Sequence, residues 1–143
     1  MSETVIREAD YYENTEGNRQ DIDLAQYTQS GRIRVFSHTA AELSGFRDSF
    51  DPIYLEKLDA GETESLVHLL SHQDEEFFLC SADAIVFRVL GNLKLSDRGV
   101  SLEEVFGQFK LRRELEYHFT KKFRLRWSQD GLADSLYGGG FKK

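Results

Sequence analysis

Apolar residues recur at helical spacing in two stretches that flank a short, wholly apolar run, and this pattern organises the centre of the chain. Leu66, Leu69 and Leu70 share one side of a helix expected from Gly61 to about His72. Phe77-Phe78-Leu79-Cys80 then reads as a strand, and a second helix follows over Asp83–Leu93. Upstream, Val5, Ile6, Ala9 and Tyr12 give an apolar face to a first helix capped by Ser2 or Thr4. Asn14 to Asn18 reads as a turn, and a helix from about Arg19 to Gln29, closed by Gly31, follows. Arg32-Ile33-Arg34-Val35-Phe36 alternates before turning apolar, which predicts a strand that joins the sheet.

Between these units, Thr39 is placed to cap a helix through Leu43 and Phe46, and Pro52 fits the first turn of a short helix. Ser101-Leu102-Glu103-Glu104 has the form of a capping box. A long helix is expected from Lys110 to Gln129, because Leu111, Leu115, Phe119, Phe123 and Trp127 recur every fourth residue with Arg and Lys around them. Gly138-Gly139-Gly140 then predicts a flexible end.

With 143 residues and 40% hydrophobic content the sequence suits one folded domain with its own core. The net charge of −7 is unevenly placed: residues 1–108 hold 9 Lys/Arg and 21 Asp/Glu, whereas residues 109–143 hold 9 basic and 4 acidic residues. An acidic body that carries a basic tail repels nucleic acid on average, so RNA contact would be local, through the tail or through a metal bridging to phosphate. The single cysteine, Cys80, excludes an internal disulfide and is expected to be a small buried residue of its strand. The amino terminus carries acids where a signal peptide needs bases and an apolar core, which predicts a cytoplasmic protein.

The chemistry that stands out is carboxylate. Asp59, Glu62 and Glu64 crowd the start of the central helix, and Asp83 stands just past the end of the apolar strand, where open α/β sheets place ligand sites. Carboxylates gathered at one sheet edge repel one another unless a cation lies between them, and Mg2+ or Mn2+ takes oxygen ligands. Each residue also has an ordinary role. Asp83 could cap the following helix, and Glu62 and Glu64 point to different sides, so that one faces a site while the other is a first-turn charge. The histidines His38, His68, His72 and His118 lack zinc-ligand spacing with Cys80, and Glu64 with His68 reads as a helix-surface pair.

Gly61-Glu62-Thr63-Glu64-Ser65 before an apolar helix, then a strand ending in Ser81-Ala82-Asp83 and a helix closing on Leu90-Gly91, resembles the carboxyl-terminal half of a PIN domain. The resemblance implies an α/β, three-layer fold with a short parallel sheet flanked by helices, over a partial domain of residues 1–108, followed by a basic helical extension over 109–143. It implies metal-dependent hydrolysis of RNA phosphodiester bonds, with Glu8, Glu62 and Asp83 catalytic and Glu8, Glu62, Glu64 and Asp83 holding Mg2+ or Mn2+. Many members are toxins of toxin–antitoxin pairs, so an antitoxin is an expected partner. PIN domains open with an apolar strand ending in Asp, and none precedes the Glu8 helix here. The alternative is therefore a non-catalytic PIN-like binding or assembly protein, and the missing strand together with the aromatic stripe predicts a homo-oligomer.

Overall fold

The computed structural model describes residues 1–9 and 11–142. It is a mixed α/β fold with little sheet. The elements are α1 (Glu3–Glu8), β1 (Tyr11–Glu13), β2 (Arg19–Asp21), α2 (Ala25–Gln29), α3 (Ala40–Asp48), α4 (Ala60–Ser71), β3 (Leu79–Cys80), α5 (Ala84–Asn92), β4 (Gly99–Val100), α6 (Leu102–Gln108) and α7 (Lys121–Leu136). Among the described residues the strands form two sheets of two strands each, β1 antiparallel to β2 and β3 parallel to β4.

Three helices begin where their sequences carry a reciprocal cap. Thr39 with Glu42, Asp59 with Glu62, and Ser101 with Glu104 each satisfy two amide groups that the helix start would otherwise leave unpaired. The core forms around α4 and α5. Leu66 and Leu69 of α4 and Val86, Phe87, Val89 and Leu90 of α5 are buried together with Phe46, Phe50, Leu55 and Leu58. α5 buries most of its residues and leaves Arg88 as its one charged position, part-exposed on the side away from the core.

α7 lies directly on α5. A side chain at Gly91 would strike the backbone of Ser128, and one at Gly131 would strike the backbone of Arg88, so the two helices meet with no side chain between them. Ion pairs fasten α7 near both ends. Arg124, itself buried, donates through Nε and Nη2 to Glu104 of α6 at 2.7 and 2.8 Å. Arg88 of α5 donates to both oxygens of Asp134 at 2.6 and 3.1 Å, and Tyr54 donates to the same carboxylate at 2.9 Å. Such bidentate pairs are strong because the guanidinium fork matches the carboxylate.

Several expectations are corrected by this arrangement. Arg19–Asp21 is a strand paired with Tyr11–Glu13, and only Ala25–Gln29 of the expected second helix is helical. Asn14 Oδ1 accepts from the amides of Glu16 and Asn18, and Gly17 takes a positive φ, so turn chemistry overrides helical periodicity there. Residues 32–36 form no sheet strand; Phe36 makes only an isolated parallel bridge to Ser2. The expected helix over 110–129 is broken, since residues 111–116 are irregular and α7 begins at Lys121, capped by Thr120. Phe123 and Trp127 of the expected stripe pack on the core, but Leu111 is exposed. Cys80 is exposed rather than buried. The glycine run is not a loose end: Asn92 donates to the Gly139 carbonyl, Asp51 donates to that of Gly140, and Phe141 stacks on Phe50.

The contact between α5 and α7 makes a direct prediction. Gly131→Ala should destabilise by about 1–3 kcal/mol, because neither helix backbone can retreat from the added methyl group. Gly45→Ala, inside α3 where an added Cβ meets nothing within 4 Å, should stabilise by up to ~1 kcal/mol. Chemical denaturation of the two variants beside the parent measures both shifts, and a Gly131→Ala midpoint equal to the parent's would refute the close contact.

Candidate functional site: two carboxyls where two helices begin

α4 and α5 are joined through β3, and this connection brings their amino-terminal ends together. Asp59 caps α4, its carboxylate accepting from the Glu62 amide at 2.7 Å, while Glu62 Oε2 accepts from the Asp59 amide at 3.2 Å. This exchange fixes the Glu62 side chain at the helix start, where its carboxyl interacts electrostatically with that of Asp83. Asp83 occupies the N-cap position of α5 but makes no capping hydrogen bond with its side chain. The Asp83 backbone amide instead donates to Ser81 Oγ at 3.0 Å, which shapes the turn before α5. Of the two readings of Asp83, the local cap is therefore not formed.

The electrostatics of the pair follow from its surroundings. Burial pushes the Glu62 pKa up to about 8, and the hydrogen bond that protonated Glu62 donates to the Asp83 carboxylate, with the charges of Asp59 and Asp83, adds to this rise, against the Asp59 amide, which favours the ionised form. Glu62 therefore keeps its proton to higher pH than an ordinary glutamate. Both helix amino termini carry partial positive charge, which favours keeping carboxyl groups there.

The other expected site residues have different surroundings. Glu64 is buried, and its two oxygens accept from the amides of Thr4 at 3.3 Å and His38 at 3.2 Å. Burial pushes its pKa up, but the hydrogen bonds from Thr4, His38 and Ser2 outweigh that and leave it below the usual carboxylate range. Glu64 therefore ties the amino-terminal segment to α4, which resolves which of the two glutamates faces Asp83. Glu8 is exposed, at the last position of α1. Among the described residues no group of three or more His, Cys, Asp or Glu is disposed to hold a metal ion.

A histidine cluster lies on the same face of α4 as Glu64. His38 and His68 share a hydrogen bond between Nε2 and Nδ1 at 3.1 Å, His72 Nδ1 donates to the His68 carbonyl at 2.9 Å, and Phe36 stacks on the His68 ring with centroids 3.7 Å apart. Burial, then the neighbouring His72 and His38, push the His68 pKa down. The expected Glu64–His68 surface pair is replaced by this contact, because Glu64 is taken up by backbone amides. Sequence spacing gave no sign of it, since His38 and His68 lie in separate elements.

The Glu62 pKa has a measurable consequence. In the unfolded chain Glu62 releases its proton near pH 4.5, so in the window from there to about 8 the folded state holds the extra proton and stability falls as pH rises. Glu62→Gln removes the charge but keeps an oxygen for the Asp59 amide and gains a donor toward Asp83. At pH 8.5 it should raise the melting temperature by roughly 3 °C, and near pH 4.5 it should change little. Melting curves across this range check the prediction, and a variant less stable than the parent at both ends would exclude the close pair.

No family model matches this sequence, and no characterised protein or solved structure shows significant similarity to it.

Proposed function

We propose that the chain is a PIN-like metal-dependent ribonuclease that hydrolyses RNA phosphodiester bonds, with Glu62 and Asp83 as the residues on which the activity rests. The observation that supports this reading is the meeting of these two carboxyls at the starts of α4 and α5, with Asp83 forgoing its own helix cap. A proton is one species that relieves repulsion between paired carboxylates; a hard divalent cation is the other. Mg2+ is commonly held by one or two carboxylates with its remaining positions left to water and substrate phosphate, so two acids suit such an ion. Glu62 and Asp83 would hold Mg2+ or Mn2+, and the ion would supply charge for the phosphate and a water of lowered pKa.

The chain's own residues set up the rest. The Asp59–Glu62 exchange holds Glu62 in one rotamer, and Ser81 fixes the backbone that presents Asp83. Asp83 is exposed, so the pair is open to a substrate as large as RNA. In the setting of a toxin–antitoxin pair, an antitoxin would act by covering this opening.

A second reading, a non-catalytic PIN-like binding or assembly protein, is favoured by a separate observation: among the described residues no third acid joins Glu62 and Asp83 in a cluster able to hold a metal. Incubating the full chain with end-labelled single-stranded RNA and Mg2+ or Mn2+ separates the two readings. The nuclease reading expects cleavage that EDTA abolishes and that Glu62→Gln and Asp83→Asn each reduce by at least about a hundredfold. A folded parent chain that leaves the RNA intact with either ion decides for the binding protein.

A further inference from the structure

Residues 11 to 35 do not contain a single buried side chain. All six positions of β1 and β2 are exposed, as is most of α2, and Tyr11 and Tyr12 keep 46% and 55% of their surface in water. Two strands of three residues are marginal at best when they stand alone, because so few cross-strand contacts cannot offset the ordering of the backbone. This hairpin therefore has the form of an element that is completed by another surface. Its chemistry says which kind. Residues 10–24 carry Asp10, Glu13, Glu16, Asp21 and Asp23 against Arg19 alone, so phosphate is repelled and a basic surface is attracted.

The chain itself offers such a surface. After a turn at residues 109–110, residues 111–116 are irregular; Phe109 and Leu111 expose 69% and 55% of their area, and Lys110, Arg112 and Arg113 are exposed beside them, ahead of the exposed Glu114 and Glu116, which leaves the segment a small positive excess. Lys121 and Lys122 at the start of α7 are exposed as well. The Arg19 guanidinium lies over the Tyr11 ring at 4.2 Å, but the two surfaces do not cover each other within one chain.

We propose that the acidic, tyrosine-bearing hairpin of one copy docks on the basic 109–116 segment of a second copy, forming a two-fold dimer. Two-fold symmetry repeats the contact, each copy giving its hairpin and receiving its partner's, and the assembly closes. The tyrosines against Phe109 and Leu111 supply most of the affinity, while the opposite charges speed and orient the encounter. This inference is independent of the nuclease reading.

Charge exchange tests it on the full chain by sedimentation at micromolar concentration. The parent should be a dimer that weakens as salt rises from about 0.05 to 0.5 M. Glu13→Lys with Glu16→Lys, and separately Arg112→Glu with Arg113→Glu, should each raise the dimer dissociation constant about tenfold. Mixing the two variants should restore a dimer, because each then meets a surface of opposite sign at both contacts. Melting curves confirm that both variants are folded before they are mixed. A monomeric parent, a dimer indifferent to both variants, or two folded variants that do not combine would each overturn the proposal. So would a monomeric parent whose RNA binding falls when Arg112 and Arg113 are reversed, which would assign the basic segment to RNA.

Discussion

Gly91 of α5 and Gly131 of α7 let two helices meet backbone to backbone, and the placement of the remaining elements depends on that contact. With α7 seated on it, α5 keeps little solvent-facing surface beyond Arg88, which is why its sequence is otherwise largely apolar, and it forms the connection between β3 and the parallel β4. Dispersion falls off so steeply with distance that a helix pair at this separation gains contact along its whole length. The two guanidinium–carboxylate pairs then fix the register of α7, Arg124 with Glu104 near its start and Arg88 with Asp134 near its end. Sliding by one turn would break both. The carboxyl-terminal glycines follow from the same geometry. Gly140 passes so close to Asn92 and Tyr54 that only a residue without a side chain fits, and its positive φ suits glycine as well.

Within this frame, three carboxylates on one helix start have three different roles. Asp59 terminates α4, Glu64 holds two amides of the amino-terminal segment, and Glu62 is left to face Asp83. Glu62 and Glu64 are two positions apart in sequence, which turns them about 200° apart on a helix, and their environments diverge accordingly. Burial beside other acids raises the pKa of one carboxyl, and backbone donors lower that of the other. Divergent environments for neighbouring acids are what acid–base and metal chemistry draw on.

Much of the central unit was legible in the sequence because local signals and packing agree there. The caps expected at Thr39 and Ser101 start α3 and α6, whereas the Asp59–Glu62 capping box that starts α4 was read as a group of site carboxylates. The apolar run ending at Cys80 and the helix after Asp83 also formed, although the strand keeps only two paired residues. Misreadings cluster where periodicity had no core behind it. Leu111 and Leu115 extend the four-residue spacing of Phe123 and Trp127, yet nothing packs around Leu111 to make the helix continue. Arg19–Gln29 carried helical spacing, but the Asn14 side chain and Gly17 set a tight turn that pairs Arg19 with Glu13 instead. The Glu62–Asp83 contact could be suspected from the order helix, strand, helix. The His38–His68 contact could not, since it depends on Glu64 drawing the His38 backbone onto α4.

The same carboxylate gives the amino-terminal region its topology. Thr4 and His38 donate to the two oxygens of Glu64, and Glu3 donates to the Phe36 carbonyl at 2.9 Å, so the chain leaves the body and returns to it at one place. Everything between is, in topological terms, an insertion with its ends already joined. Closing a loop costs little more when the loop grows longer, so an insertion of this kind can change length or sequence without disturbing the body that carries it. Residues 11–35 are free to diverge in a way that α4 and α5 are not: a lineage could refashion or shorten this excursion while leaving the paired carboxyls where they stand.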